Sequence, residues 1–163
     1  MIQKKVNLIK KLRKKNFFNI SFAESCTGGL LSASITQLSG SSSFFHSSII
    51  SYSDEAKIKI LEVPKNIINK HGSVSAITSK YMAKGIYKKT KTNLVVAITG
   101  IAGPDGGVKK CPVGLVFFTV GYKKDKKMLY KIYKKKFKNL SRKYIQQQSV
   151  IFALDKIIEI LDQ

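Results

Sequence analysis

The sequence predicts a three-layer α/β/α sandwich on a mixed, mostly parallel five-stranded sheet. Segments with helical and with extended periodicity alternate through the first part of the chain. Residues 94–99 form a continuous apolar run, which is typical of a strand that helices cover on both faces. Two later extended segments joined by a short charged turn predict a hairpin, and a hairpin makes the sheet mixed.

The N-terminal part alternates between helix and strand. Residues 2–15 predict an amphipathic helix, because apolar side chains recur at helical spacing between lysines. Residues 19–23 predict a short strand that runs into a tight turn at 24–29, and a second helix follows the turn. Residues 44–52 are rich in aromatic and β-branched side chains and therefore predict the next strand.

Serine and proline mark the starts of three helices in the central part. Ser53 is a good N-cap, since the two acidic residues after it lie where the helix dipole favours negative charge. The helix that it caps is predicted to end near Leu61. Pro64 then opens a short helix at a position that proline tolerates, and Ser75 caps a longer helix that ends near Lys89.

The C-terminal part supplies the hairpin and the last helix. Residues 100–112 are rich in glycine and proline and predict a loop. Two strands follow, at 113–122 and 127–137, and a final helix is predicted at 141–161. Because the chain contains no internal repeat and no linker-like segment, we expect a single domain over residues 1–163.

The charge balance is the strongest compositional signal. The chain carries a formal net charge of +21, from 30 basic and 9 acidic residues. Such a balance suggests an anionic partner. The excess is nearly all lysine spread along the chain, and only Arg13 and Arg142 are arginines, whereas proteins that grip phosphates in a fork favour arginine. We therefore expect at most weak, nonspecific nucleic-acid binding.

Other features bear on location and cofactors. No apolar run approaches the roughly 20 residues of a membrane helix, and the lysine-rich start lacks the apolar core of a signal peptide, so we expect a cytoplasmic protein that does not enter membranes. Cys26 and Cys111 are expected to be reduced thiols. The two histidines, His46 and His71, are far apart in sequence, and no ligand pair has metal-site spacing, so we expect neither metal nor cofactor.

The first candidate site lies in the turn after the first strand. A strand-to-helix turn lifts a side chain clear of the sheet and presents unpaired backbone N–H groups to a ligand. Ser25 is the candidate nucleophile there, with Thr27, Gly28 and Gly29 as candidate substrate contacts and the backbone around Gly28 as a candidate oxyanion hole. The alternative interpretation is a serine–glycine turn with a capping hydroxyl.

The second candidate pair spans the end of a strand and the next helix. Tyr52 ends the strand and Lys57 lies about one turn into the helix, so both side chains are predicted to converge above the sheet. A lysine in a partly dry pocket has a lowered pKa and acts as a base, and serine–lysine pairs replace the Ser–His–Asp triad in some hydrolases. The alternative is an exposed lysine paired with Asp54 or Glu55.

The third candidate is the glycine-rich loop that begins at Thr99. Ligand crevices of open α/β sheets lie at the carboxyl ends of the strands, and Thr99, Gly100 and Gly103 begin a loop whose backbone is suited to phosphate or carbonyl oxygens. Neither a P-loop nor a Rossmann fingerprint is present. Arg142, at the start of the last helix, is a candidate phosphate ligand. The alternatives are a mobile loop and a surface charge.

Together and in this order, the segments resemble the signature blocks of the CinA C-terminal domain family. The blocks are AESCTGG (23–29), YSDEAK (52–57), HGSVS (71–75) and TGIAGPDGG (99–107), followed by Pro-Val-Gly at 112–114. The resemblance covers about residues 5 to 160, nearly the whole chain, without the N-terminal nucleotide-hydrolysing domain that the family often carries. It implies the same three-layer fold and a tendency to self-associate.

The resemblance also implies an activity, which is hydrolysis of the carboxamide of nicotinamide mononucleotide (NMN) to nicotinate mononucleotide and ammonia in pyridine-nucleotide salvage. By position, Ser25 is the implied nucleophile, Tyr52 and Lys57 are its polar partners, and the loop from Thr99 contacts the substrate. The sequence departs from the family at Gln146, where a second arginine is usual. A nucleotide-binding module that has lost catalysis is therefore the alternative function.

Overall fold

The computed structural model describes residues 1–15, 17–138 and 141–163. A one-turn 3₁₀ helix at Ser41–Ser43 accompanies the main elements. In chain order these are α1 (Ile2–Lys15), β1 (Ile20–Glu24), α2 (Leu30–Thr36), β2 (Phe45–Ile50), α3 (Asp54–Lys59), α4 (Lys65–His71), α5 (Ala76–Thr90), β3 (Leu94–Gly100), β4 (Leu115–Lys124), β5 (Lys127–Lys136) and α6 (Arg142–Leu161). No helix in these ranges is long and apolar enough to cross a bilayer.

The sheet has the strand order β2-β1-β3-β4-β5. Strands β2, β1 and β3 are parallel, β4 is antiparallel to β3, and β5 is antiparallel to β4. Of the described strands, β4 is thus the one that runs against the others. The predicted mixed, mostly parallel five-stranded sheet is confirmed.

Helices cover both faces of this sheet. On β3, Leu94, Val96 and Ile98 belong to a core shared with α1, α2 and α6, whereas Val95 and Ala97 belong to a second core shared with α5. All five of these side chains are buried. This alternation on a strand that is buried on both faces builds the three layers, as the continuous apolar run predicted.

The two serine caps occur where they were predicted. Ser53 Oγ accepts a hydrogen bond from the Ala56 N–H at 3.0 Å, and Ser75 Oγ accepts one from the Thr78 N–H at 3.1 Å. Each cap satisfies a backbone donor that the first helical turn leaves without a partner. The caps fix the starts of α3 and α5, which flank the site described below.

The orientation of α6 corrects one detail. Helical spacing predicts Tyr144 and Leu154 on the inward face; Leu154 is fully buried, but Tyr144 is 37% exposed. The buried face is rotated by about one residue. It consists of Ile145, Ser149, Val150, Ala153, Leu154 and Ile157. Rotation brings the small side chain of Ala153 inward and leaves Tyr144 partly exposed.

The parallel strands end at one edge of the sheet. Glu24, the last residue of β1, is in register with Ile50 of β2 and with Ile98 of β3. The chain therefore leaves these neighbouring strands at the same level, so the turn after β1, the start of α3 and the loop after β3 meet there.

Candidate functional site

Ser25 lies in the turn directly after β1. Its N–H donates to the Ile98 carbonyl of β3 at 3.0 Å, and its carbonyl accepts from the Gly28 N–H at 3.0 Å. Strand alternation directs Glu24 toward α2 and turns Ser25 to the opposite side of the sheet, toward α3. Backbone bonds thus fix the Ser25 residue on two sides.

Lys57 points from α3 toward Ser25. Its side chain is nearly inaccessible, with 2% of the residue exposed. The Nζ atom lies 3.0 Å from Ser25 Oγ, 3.1 Å from the Ser51 carbonyl oxygen and 3.4 Å from the Tyr52 carbonyl oxygen. Lys57 is therefore buried against the serine and is not the exposed ion-pair partner of the alternative interpretation. Glu55 instead pairs with Lys59.

These three partners fit both protonation states of Lys57. An ammonium group has three donors and no acceptor, so it donates to all three oxygens. A neutral amine has two donors and one lone pair, so it donates to the two carbonyls and accepts the Ser25 hydroxyl proton. Burial lowers the pKa of Lys57 below its ordinary value of 10.5, although the negative charge of Asp54 opposes the shift, as does a smaller interaction with Cys26.

The pair opens into a cavity of about 220 Å³. Seven predicted site residues lie in its wall: Ser25, Tyr52, Lys57, Thr99, Gly100, Gly103 and Arg142. Asp54, Ser73 and Asp105 add polar groups to the wall that were not among the predicted site residues. The cavity wall therefore carries two basic side chains, Lys57 and Arg142, and two acidic ones, Asp54 and Asp105, which suits a ligand with both anionic and cationic parts.

Tyr52 and Arg142 meet at the exposed side of the cavity. The Tyr52 hydroxyl accepts a short hydrogen bond from Nη2 of Arg142, and Nη1 of Arg142 donates to the Gly103 carbonyl at 2.8 Å. The Tyr52 residue is 58% exposed. Tyr52 and Lys57 share the cavity as predicted, but Tyr52 offers Lys57 its backbone carbonyl while its hydroxyl contacts Arg142.

The loop after β3 is held by its first residues. Thr99 Oγ1 donates to the Ser73 carbonyl at 2.8 Å, which ties this loop to the segment before α5. A Cβ atom on Gly100 would lie 2.7 Å from Val116 Cγ2 and 2.8 Å from the Leu115 carbonyl oxygen. Glycine is therefore required at position 100 by the close approach of β4, which places the loop backbone in the cavity wall.

Thr27, Gly28 and Gly29 lie outside the cavity wall. The Thr27 hydroxyl donates to Glu24 Oε2 at 2.7 Å, and this residue is buried. The Gly28 N–H donates to the Ser25 carbonyl and is not free to stabilise an oxyanion. Gly29 is the N-cap of α2 with a φ of 94°, a backbone angle that glycine adopts readily. In this structure the three residues shape the turn.

Glu24 and Gln146 are two further residues near the turn. Glu24 is fully buried and bonded to four donors, which are described below. A sequence signal exists for Glu24, since it is a single acid at the end of an otherwise uncharged strand. Gln146 Nε2 donates to the Cys26 carbonyl at 2.9 Å, so Gln146 supports the turn from α6.

The thiol next to the serine is not activated. Burial raises the pKa of Cys26 to about 12, and only smaller effects oppose this shift. A thiol with this pKa stays protonated at neutral pH and is a poor nucleophile. Ser25 is therefore the better nucleophile of the two neighbours.

As for metals, the described residues contain no group of three or more His, Cys, Asp or Glu side chains placed to hold an ion.

The fold and the site define a small α/β/α protein with a buried serine–lysine pair at the carboxyl edge of its sheet. The sequence model of the CinA C-terminal domain matches residues 2–161. The chain therefore belongs to the CinA C-terminal domain family, as the signature blocks predicted.

Similar proteins agree with this membership. A "CinA-like protein" of Prochlorococcus marinus strain NATL1A is 41% identical over 92% of this chain and 34% of its own length. A "Putative competence-damage inducible protein" of Halothermothrix orenii is 40% identical over 93% of this chain and 36% of its own length. The chain thus spans about a third of the length of these relatives.

Solved structures show the same fold over their whole length. The competence/damage inducible protein CihA from Agrobacterium tumefaciens has a TM-score of 0.89 and 32% identity, covering 99% of this chain and 96% of its own. A CinA superfamily protein from Klebsiella pneumoniae has a TM-score of 0.89 and 26% identity, covering 99% of this chain and 98% of its own.

Proposed function

We propose that this chain is an amidohydrolase that converts NMN to nicotinate mononucleotide and ammonia, as part of cytoplasmic pyridine-nucleotide salvage. The observation that carries the proposal is the 3.0 Å contact between Lys57 Nζ and Ser25 Oγ at the wall of a cavity. Amide hydrolysis needs a nucleophile and a base that later protonates the leaving amine. Ser25 is the proposed nucleophile, and the buried Lys57, with its lowered pKa, is the proposed base.

The first half of the proposed reaction forms an ester. Neutral Lys57 takes the proton from the Ser25 hydroxyl as Oγ attacks the carboxamide carbon. The tetrahedral intermediate then breaks its C–N bond, and Lys57 returns the proton to the leaving nitrogen. Ammonia departs, and the nicotinoyl group remains as an ester on Ser25.

The second half of the reaction uses the same two groups. Water attacks the ester carbon while neutral Lys57 accepts one of its protons. The bond from carbon to Ser25 Oγ then breaks, and Lys57 returns the proton to Oγ. The products are nicotinate mononucleotide and free Ser25, so the cycle needs no oxidant or reductant.

Arg142 and the loop from Gly100 are the proposed contacts of the substrate phosphate. A guanidinium group has five N–H donors, and one donor each from Nη1 and Nη2 is used on Gly103 and Tyr52. Donors therefore remain for phosphate oxygens, and Arg142 is already oriented before a ligand arrives. Pre-orientation lowers the entropy cost of binding.

The test is an ammonia-release assay on NMN with wild-type protein, Ser25→Ala and Lys57→Met. We expect each variant to lose about a thousandfold or more in kcat, because removing a nucleophile or its base has that order of effect. Ser42→Ala and Lys59→Met, which change exposed residues outside the cavity wall, are matched controls that should keep the wild-type rate. Equal turnover by wild type and Ser25→Ala would remove Ser25 from the mechanism.

A nucleotide-binding module without catalysis is the second candidate, and the contact of Gln146 favours it. Where the family usually has a second arginine, this side chain donates to the backbone of the turn and adds no positive charge to the cavity. Calorimetry separates the candidates: NMN binding by wild-type protein without release of ammonia would support the module and contradict the amidase.

A further inference from the structure

We propose that Glu24 is a positioning residue that holds Ser25 in its attacking position through a carboxyl group buried on the other side of the sheet. This inference rests on the proposed function, because it assigns to Glu24 an effect on a reaction at Ser25. Glu24 does not line the cavity and is fully buried. It therefore acts through the protein and not on the substrate.

The carboxylate of Glu24 is surrounded by donors from three parts of the chain. The Thr27 hydroxyl and the Leu31 N–H donate to Oε2 at 2.7 and 3.0 Å. The Ser32 N–H and the Ser48 hydroxyl donate to Oε1 at 2.9 and 3.3 Å. One side chain thus joins the turn after β1, the first residues of α2 and the neighbouring strand β2.

Helix α2 depends on this carboxylate for its N-terminal cap. The N-cap residue of α2 is Gly29, which has no side chain to accept a hydrogen bond. Its second and third residues, Leu31 and Ser32, direct their free N–H groups at the two oxygens of Glu24. Glu24 therefore replaces a capping side chain and also opposes the positive end of the helix dipole.

The two N–H contacts require a carboxylate and not merely an acceptor. Hydroxyl groups can rotate from donating to accepting, but a backbone N–H can only donate. Since one such N–H faces each oxygen, an amide at position 24 would place its NH₂ group against a buried N–H in either orientation. Glu24→Gln is nearly isosteric, yet it breaks one contact and creates a repulsive one.

Glu24 is connected to both reacting groups. Ser25 is its direct neighbour in the chain, and the turn 25–29 lies between Glu24 and the helix that its side chain caps. On the other side, the Glu24 carbonyl accepts from the Ser51 N–H at 2.8 Å, and the Ser51 carbonyl accepts from Lys57 Nζ at 3.1 Å. A shift of Glu24 therefore changes the distance between Ser25 and Lys57 directly.

The test compares wild type with Glu24→Gln in two assays well below the melting temperature. One assay measures kcat and KM for NMN; the other measures the rate at which phenylmethanesulfonyl fluoride modifies Ser25, followed by mass spectrometry. We expect both kcat and the modification rate to fall about tenfold or more, while KM changes less than about threefold, because misalignment of a nucleophile costs rate more than binding.

Two further variants keep the result interpretable. Thr27→Val removes one donor to the carboxylate, so it should lower kcat less than Glu24→Gln does. It replaces Glu24→Gln as the test variant if that protein does not fold. Ile9→Val shortens a buried side chain of α1, so it should lower stability and leave kcat unchanged.

Two outcomes of these assays overturn the inference, and a third separates it from the proposed function. If Glu24→Gln melts at a lower temperature but keeps both rates, Glu24 has a structural role only. If Thr27→Val raises KM and keeps kcat, the turn contacts substrate instead of aligning Ser25. If wild-type Ser25 is modified but NMN is not hydrolysed, the proposed function fails and the modification rate alone decides the role of Glu24. If wild-type protein neither hydrolyses NMN nor is modified at Ser25, both proposals fail.

Discussion

At the scale of single residues, the proposed mechanism makes activity depend on the proton affinity of Lys57. The proposed base must be neutral, and burial lowers its pKa while Asp54 opposes this shift. We therefore predict that Asp54→Asn moves the acidic limb of the kcat/KM profile to lower pH, since removing a nearby negative charge disfavours the ammonium form. Measuring kcat/KM against pH for both proteins checks the direction.

Glu55→Gln is the matched control, because Glu55 is exposed, pairs with Lys59 and adjoins Asp54 in the same helical turn. Its limb should coincide with that of wild type. An unshifted limb in Asp54→Asn would mean that another group titrates.

The same pKa affects stability: the unfolded chain binds the proton more tightly than the native state, so the free energy of unfolding rises with pH from the lowered pKa of Lys57 up to 10.5.

The sequence could predict which side chains lie together where both belong to recognisable motifs. The resemblance to a family implies that Lys57 is a partner of Ser25, and Lys57 Nζ lies 3.0 Å from Ser25 Oγ. The hydrogen bond from Arg142 to the Tyr52 hydroxyl could not be predicted, because these side chains are 90 positions apart and their orientation depends on how α6 packs. The sequence likewise did not reveal that the Gly28 N–H, a candidate oxyanion donor, donates to the Ser25 carbonyl within the same turn.

At the scale of elements, α5 packs closely on the segment that follows α3. Gly85 is buried in the middle of α5, and a Cβ atom there would lie 2.0 Å from the Leu61 carbonyl oxygen. Alanine at this position improves helix propensity by about 1 kcal/mol. The clash with backbone cannot be relieved by a side-chain rotation, so we predict a net loss of about 1–3 kcal/mol for Gly85→Ala.

Urea denaturation of wild type, Gly85→Ala and Lys84→Ala tests this prediction. Lys84 is exposed on the same helix, so Lys84→Ala introduces alanine there without a clash against backbone and should change the midpoint little. A Gly85→Ala protein that is more stable than wild type would show that α5 moves away from Leu61 at little cost. The sequence predicted α5 and its cap, but not the reason for a glycine in its interior, because that reason lies in another element.

At the scale of the whole molecule, topology explains why distant motifs form one site. Local periodicity identified the strands but gave no order for them. Only the order β2-β1-β3 brings the turn after β1 between the ends of β2 and β3. Parallel strands end at the same edge, so the motifs at 23–29, 52–57 and 99–107 converge there. The resemblance to a family implied this arrangement, whereas composition and periodicity did not.

Charge is the other property of the whole molecule with a measurable consequence. With 30 basic and 9 acidic residues, the chain keeps a net charge of +21 however its charges pair. The remaining positive charges repel one another, and this repulsion destabilises the compact state more than the unfolded chain. The Debye length, beyond which exposed charges are largely screened from one another, is about 30 Å at 0.01 M salt and about 8 Å at 0.15 M. We therefore predict that the melting temperature rises as sodium chloride is raised through this range.

Thermal melts followed by circular dichroism test the sign, and melts in sodium fluoride separate screening from binding of a particular anion. A rise that is equal in both salts indicates screening. A melting temperature that falls with salt would show that attractive pairs such as Lys88–Glu62 outweigh the repulsion.

The same screening should abolish binding to a random DNA duplex, since such binding loses affinity steeply with salt. The proposed turnover of NMN depends on a fixed cavity, so it should persist at salt concentrations where the duplex has dissociated.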